Sequence, residues 1–286
     1  MSTKPKIVSR ETITRASFTV DWVTFTSNRN ASRDALSRFA YEYLEHSLGQ
    51  GNRSKLWSSF GYDGWDIGGM RWGRREQDDL CQLRGEVAET YWRTYLPLAS
   101  GVSRLDLAAT VQFKEHPITI VSDAYNQVLD TALDLPIVRN YAKITSLKGG
   151  DTLYVGKRSS TQFGRLYDKG LQSKEKSFAN CIRWEVELKK EVAWSVSQHL
   201  ARASNHATWI SAYVYNWFKE RMIECPWRPT IAYNAIEFPR RPTTTQMSLG
   251  WLQEQVQPTV TRLCDQGLLT DVLNALGLSH RIDREK

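Results

Sequence analysis

Cysteine is scarce in this chain of 286 residues: Cys81, Cys181, Cys225 and Cys264 stand far apart, and no two make a C-x-x-C pair. That absence argues against a zinc ribbon or finger and against a disulfide framework, and it fits a reducing compartment. Histidine is nearly as sparse. His46, His116, His199, His206 and His280 include no His-x-His pair, so a metal site built on such a pair is excluded. His199 and His206 lie one heptad apart on a predicted helix and read as packed or solvated side chains. No apolar run reaches the roughly 18 residues that a membrane-spanning helix needs, and the opening MSTKPKIVSRET lacks the apolar core of a secretory signal. The expectation is a cytoplasmic protein with no membrane partner.

Basic charge, by contrast, is in excess. A net charge of +7 and an isoelectric point near 9.2 suit a polyanionic partner. Eleven tryptophans and twelve tyrosines supply core mass and surfaces on which bases could stack. The segment TQFGRLYDKG, Thr161–Gly170, places Arg165, Tyr167 and Lys169 at alternate positions of a predicted strand, so the three share one face. A phenol between two cations suits attack on a phosphodiester, because the cations favour the phenolate and can hold phosphate oxygens. A solvated charged face with a packed tyrosine is the competing reading.

Two further segments divide their faces in the same way. In VSRLDLAA, Leu105, Leu107 and Ala109 face one side, and Arg104, Asp106 and Ala108 the other. In CIRWEVELKK, Ile182, Trp184, Val186 and Leu188 oppose Arg183, Glu185, Glu187 and Lys189. Three such strands predict one sheet with a core face and a polar face. A cross-strand salt ladder would need no activity, yet it does not account for a nucleophile gathered with oxygen ligands for a hard metal.

These residues resemble the replication initiation factors of rolling-circle plasmids and filamentous phages, a group that includes the staphylococcal plasmid initiators. The resemblance lies in an R-x-D strand at Arg104–Asp106, a T-L-Y-x-G-x-R-x-S hairpin starting at Thr152, R-x-Y-D-K at Arg165–Lys169, and R-x-E-x-E-L-K at Arg183–Lys189. VDWVTFT at Val20–Thr26 resembles the family's opening, and Leu249–Leu263 is similar to phage-type members. Residues Ser27–Glu86 match loosely. Gln172 stands where many members carry a glutamate, which leaves a fourth carboxylate in doubt.

The resemblance implies an origin-binding enzyme of the bacterial cytoplasm that nicks one DNA strand. Tyr167 is then the nucleophile that takes the 5′ phosphate and leaves a 3′-OH primer, with Arg165 and Lys169 beside it. Asp106, Glu185 and Glu187 are oxygen ligands suited to Mg²⁺ or Mn²⁺, and the missing His-x-His pair leaves such carboxylates as the remaining ligand set. Arg158, Lys157, Arg104 and Tyr154 are the predicted DNA contacts, Tyr154 in a supporting role. The implied partners are origin DNA, as duplex, extruded hairpin or nicked strand, and a host helicase and polymerase; homodimerisation is compatible with this reading. A conjugative relaxase, a non-catalytic origin-binding protein and a tyrosine recombinase are the alternatives. The last would place its nucleophile on a helix beside histidine and arginines.

Periodicity predicts an α+β fold with a mainly antiparallel sheet and a helical C-terminal region. The predicted parts are a basic arm over 1–16, an α+β nicking and DNA-binding domain over 17–225, a Pro/Arg-rich linker over 226–245 and a helical segment over 246–286. Helices are expected at 32–48, 86–96, 117–134, 192–203 and 207–225, with a meander of short strands over 57–84. The order of elements suggests a duplicated βαβ-type unit, although no internal sequence repeat is apparent.

Overall fold

The computed structural model describes residues 12–231 apart from 28–29, 60, 77, 118, 133–139, 147–149 and 174, together with 257–268 and 271. The chain divides into two compact units, Met1–Ile236 and Glu237–Lys286. Within the described part of the second lies one helix, α7 (Gln257–Asp265). The rest of the predicted helical tail, and the predicted linker from 232 onward, lie outside the described residues.

The first unit is built on ten strands: β1 (Ile13–Ser27), β2 (Lys55–Ser59), β3 (Tyr62–Ile67), β4 (Met70–Arg75), β5 (Asp78–Arg84), β6 (Gly101–Phe113), β7 (Tyr141–Ser146), β8 (Gly150–Val155), β9 (Gln162–Asp168) and β10 (Cys181–Lys189). They form one sheet in the order β2-β3-β4-β5-β1-β6-β10-β9-β8-β7, with every neighbouring pair antiparallel. The helices are α1 (Asn30–Gly49), α2 (Glu86–Tyr95), α3 (Ile120–Ala132), the short α4 (Lys169–Ser173), α5 (Lys190–Arg202) and α6 (His206–Lys219). The predicted α+β class is what the structure shows.

Alternation explains the layering. Val23 and Phe25 of β1, Leu105 and Leu107 of β6, and Trp184 and Val186 of β10 are buried on one face. There they meet helices whose apolar stripes repeat every three or four residues, such as Leu36, Phe39 and Ala40 of α1 and Ala193, Val196 and Leu200 of α5. The carboxylates, arginines and Tyr167 of the same strands project to the opposite face. Gly164 marks how tightly the helical layer closes: a Cβ there would run into the ring of Trp217 in α6. That indole is fixed by a 2.8 Å bond to Gln162 and by Arg221 stacked at 3.7 Å. Gly164→Ala is therefore expected to destabilise the protein by about 1–3 kcal/mol, read as a lower urea midpoint at unchanged slope.

The sheet is two copies of one unit meeting at β1 and β6. Each copy runs strand, helix, four antiparallel strands, helix: β1-α1-β2-β3-β4-β5-α2, then β6-α3-β7-β8-β9-β10-α5, with α4 as an insertion before β10. In both, the last strand returns to pair with the first. The duplicated unit is thus larger than the predicted βαβ. A sequence trace of it survives where the last strand enters its helix: QLRGEVA at Gln82–Ala88 matches ELKKEVA at Glu187–Ala193. Gly85 and Lys190, at equivalent places, both take left-handed φ values, 57° and 55°, and Ala88 and Ala193 are both fully buried.

Several boundaries differ from expectation. β1 begins at Ile13, so Arg15, assigned to a basic arm, is a sheet residue opposite Gln112 of β6, and residues 1–11 lie outside the described ones. β9 ends at Asp168, and Lys169 opens α4. α6 stops at Lys219, short of Cys225. Trp227, inside the linker predicted over 226–245, is buried against Phe18 and Trp184 and belongs to the core. No described helix is long and apolar enough to cross a membrane.

Candidate active site

Three central strands bring the predicted residues together on the face opposite α1 and α5. In register, Glu187 of β10 lies opposite Asp106 of β6, and Glu185 lies opposite Arg165 of β9. Arg183 lies opposite Tyr167, and Tyr154 of β8 opposite Arg165. Asp106, Glu185 and Glu187 are each no more than 2% exposed, because arginine and lysine side chains lie across them.

Their centre is Arg165. Its Nη2 ion-pairs with Glu185 Oε1, lies 3.4 Å from Asp106 Oδ2 and 3.9 Å from Glu187 Oε2. One guanidinium nitrogen thus sits where three carboxylates converge. Arg104 adds a bidentate pair to Asp106, at 2.9 and 2.7 Å, and approaches Glu187 Oε2 at 3.1 Å while stacking on Trp22. Lys189 holds Glu187 Oε1 at 2.8 Å and also bonds the backbone carbonyl of Arg158, tying the loop after β8 to the cluster. Glu187 Oε2 remains buried without an aligned hydrogen bond, as does Arg165 Nε.

The charges distribute unevenly. Burial, together with Glu185 and Glu187, outweighs Arg104 and pushes the Asp106 carboxyl up to about 8. Burial works against ionisation of Glu187 too, but Lys189 and Arg104 overcome it and hold that carboxyl below the usual range. Hard oxygen donors of this kind suit a divalent cation. Among the described residues, no three such side chains are spaced to hold an ion as they stand; in this cluster, Arg165 fills the middle.

Tyr167 overturns one expectation. Its hydroxyl donates to Glu185 Oε2 at 3.0 Å. Burial and the charge of Glu185 push the phenol well above the ordinary tyrosine range, with Arg183 opposing them. Arg165 is turned toward the carboxylates, and Lys169 has left the strand. The ammonium of Lys169 lies 5.0 Å from the Phe178 ring, with its pKa lowered by burial and by Arg183. The two predicted cations therefore do not flank the phenol as a strand-mate pair. The residue missed is Arg183, which bonds Thr110 at 2.9 Å and Asp21 at 2.6 Å and is the cation in register with Tyr167. Its family-like motif was visible; its pairing with Asp21 depends on a bulge between Val20 and Trp22 that turns Asp21 onto this face.

The remaining candidates are more scattered. Tyr154 stacks on Phe163 at 5.7 Å on the same face. Lys157 and Arg158 are exposed in the loop that follows. Arg104, predicted to contact DNA, is instead committed to Asp106 and Glu187. His116 pairs with Asp168 outside the cluster, and His206 packs edge-on against Trp92. Beside Arg183 opens a cleft of about 500 Å³ that Thr110 and Gln112 also line, with Lys169 and Phe178 on one wall and Asp21, Glu86, Glu89 and Glu175 as its carboxylates.

No curated protein matches the sequence. Among solved structures, the rolling circle replication initiator protein from Geobacillus stearothermophilus superposes with a TM-score of 0.50 at 18% identity, covering 71% of this chain and 85% of that one. At that identity the likeness is one of fold. A family model described as replication initiation factor matches residues 101–275, a span that contains the entire cluster of Asp106, Arg165, Tyr167, Glu185 and Glu187 and more than half of the sequence, and the protein therefore belongs to the replication initiation factor family.

Proposed function

We propose that this protein initiates rolling-circle replication by nicking one strand of an origin, with Tyr167 as the nucleophile. The observation that carries the reading is the 3.0 Å bond from Tyr167 Oη to Glu185 Oε2. A phenol with a raised pKa does not accumulate as phenolate, so it must lose its proton as it attacks, and a carboxylate within hydrogen-bond reach is the group to take it. The Tyr167 oxygen bonds to phosphorus and the bond to the 3′ oxygen breaks. The proton held on Glu185 then passes to that oxygen, leaving a 5′-phosphotyrosyl end, a 3′-OH primer for a host polymerase and a restored carboxylate. Because the ester conserves the phosphodiester energy, the step is reversible.

Asp106, Glu185 and Glu187 are the residues that would hold Mg²⁺ or Mn²⁺. Their donor chemistry fits, and the buried Glu187 Oε2, held by ion pairs to Arg104 and Arg165 but by no aligned hydrogen bond, is an oxygen that a cation would take over from them. A bound ion would polarise the scissile phosphate and offset charge on the leaving oxygen. Arg165 occupies the shared position and would have to release it; a DNA phosphate arriving at the face gives its guanidinium an alternative bidentate partner. Exposed Lys157 and Arg158 supply phosphate contacts at the loop.

Incubating the protein with supercoiled DNA of its own replicon, with and without Mn²⁺, and mapping the nick tests this reading. A single metal-dependent nick with protein on the 5′ side is the expected result, and random or absent cleavage overturns it. Affinity for origin DNA should also fall with salt, with a log–log slope of about −0.9 per phosphate contact on duplex, measured by anisotropy; a flat response excludes a DNA backbone partner. The near-complete burial of Tyr167 favours, as a second reading, an origin-binding protein that does not cut, and it predicts binding without any adduct.

A further inference from the structure

The duplicated sheet gives the strand residues of the carboxylate cluster and Tyr167 counterparts in the first half. Matching QLRGEVA to ELKKEVA sets Arg84 against Lys189, Gln82 against Glu187 and Leu80 against Glu185. The strand registers agree: Thr24 pairs with Gln82 as Asp106 pairs with Glu187, and Trp22 pairs with Arg84 as Arg104 pairs with Lys189. Across the next ladder Gly73 corresponds to Arg165 and Arg75 to Tyr167. All three carboxylates have thus become threonine, glutamine and leucine, and the tyrosine has become arginine.

What remains on that half-face is cationic and aromatic. Arg71, 26% exposed, lies over the Trp57 ring at 5.1 Å and donates to Gln82 at 3.2 Å. The Trp57 ring itself lies on Gly73, where a Cβ would meet it at 2.6 Å. Trp22 sits between Arg84, 5.8 Å from its centroid, and Arg104, 4.4 Å away, so the row of guanidinium and indole groups continues into the acidic cluster of the second half. Two carboxylates lie among the described residues there: Asp78, at the counterpart of Arg183, which pairs with Arg75 at 2.7 Å, and Asp66. The bonds of Asp66 to Arg71, at 3.0 and 2.6 Å, and to Arg84 hold two guanidiniums in place while cancelling only one charge.

We infer that the open face of the first half-sheet is a non-cleaving twin of the active site that binds single-stranded DNA, continuous with the strand held at Tyr167. The inference rests on the proposed action on DNA. The occupant follows from charge and shape. Losing the three acids removes three groups that would repel a phosphate, arginines suit phosphate oxygens, and a phosphate that draws Arg71 off Trp57 opens that indole face for an unpaired base to stack on without regard to sequence. A duplex buries its base faces and gains nothing from Trp57 or Trp22.

The experiment measures anisotropy of labelled oligothymidylate, about 6 and about 16 nucleotides long, on protein carrying Tyr167→Phe so that no strand is cut. Arg71→Gln with Arg84→Gln is expected to weaken the long oligonucleotide at least tenfold, to leave the short one within about twofold, and to flatten the salt slope by about 1.4 for two single-strand phosphate contacts at about 0.7 each. Gln82→Glu, which restores the carboxylate of the twin beside Arg71 and so spares the fold, should weaken long-oligonucleotide binding as well. Unchanged affinity and slope in both variants overturn the inference, as does equal weakening of the short oligonucleotide. If native protein forms no adduct but the length-dependent loss appears, the strand-binding face stands and the nicking reading falls. If native protein forms the adduct and no length-dependent loss appears, nicking by Tyr167 stands and the strand-binding face falls.

Discussion

Tyr167→Phe is expected to fold, to bind origin DNA and to form no covalent adduct, a loss of activity to background. The substitution keeps the ring that packs between β10 and β8 and removes only the oxygen that donates to Glu185. Because that hydrogen bond joins a buried hydroxyl to a buried carboxylate, its loss should cost about 1–2 kcal/mol of stability, too little to unfold a domain of this size. The measurement is denaturing electrophoresis after incubation with an oligonucleotide labelled 3′ of the nick, followed by mapping of the labelled peptide. Tyr154→Phe should retain cleavage, since Tyr154 lies one strand further from the carboxylates and stacks on Phe163. Glu185→Gln separates proton acceptance from packing: it should slow adduct formation by about 10²–10⁴-fold, the usual worth of a positioned base, with the label still on Tyr167. An undiminished adduct in Tyr167→Phe, or a label on Tyr154, would remove the nucleophile assignment.

The division of each central strand into two faces was readable because strand alternation is local. Leu105, Leu107, Trp184 and Val186 went to the core and Arg104, Asp106, Glu185 and Glu187 to the other side without knowledge of any partner strand. What alternation could not reveal was where each cation points. Arg165 is as near to Tyr167 in sequence as expected, yet its guanidinium is drawn by three carboxylates from β6 and β10, and those contacts depend on register. Lys169 left the strand because the chain turns into α4 after Asp168, whose carboxylate accepts the Leu171 amide at 2.7 Å. The duplication was hidden for a different reason. Only a seven-residue match at the strand-to-helix junction survives, where a left-handed residue and a buried alanine are needed in both copies, while the functional positions diverged. Pro226 and Pro229 give the stretch from 226 the look of a linker, while Trp227 between them packs on Phe18 and Trp184, a contact that local sequence does not reveal.

Asp106→Asn tests the carboxylate cluster as a cation site and as an electrostatic load at once. Removing one hard ligand should lower metal-dependent nicking by about 10²–10³-fold, the scale seen when one group stabilising transition-state charge is lost. It should also weaken Mn²⁺ binding measured by calorimetry on the protein without DNA. The stability effect has a definite sign. The folded carboxyl is pushed from an ordinary 3.8 to about 8, so the folded state holds a proton that the unfolded state has released. Its contribution is fully present below pH about 4 and is lost as pH rises through about 8. Metal-free native protein should therefore lose thermal stability between pH 5 and 8, and Asp106→Asn, which keeps the shape but loses the titration and one acceptor for Arg104, should show a flatter profile. Added Mn²⁺ should restore stability to native protein at pH 8 and do little for the variant, because the ion takes the place of the proton as the partner of a buried carboxylate. Identical pH profiles for the two proteins would mean that Arg104 and Arg165 already keep Asp106 ionised, and that the cluster is a closed salt-bridge network.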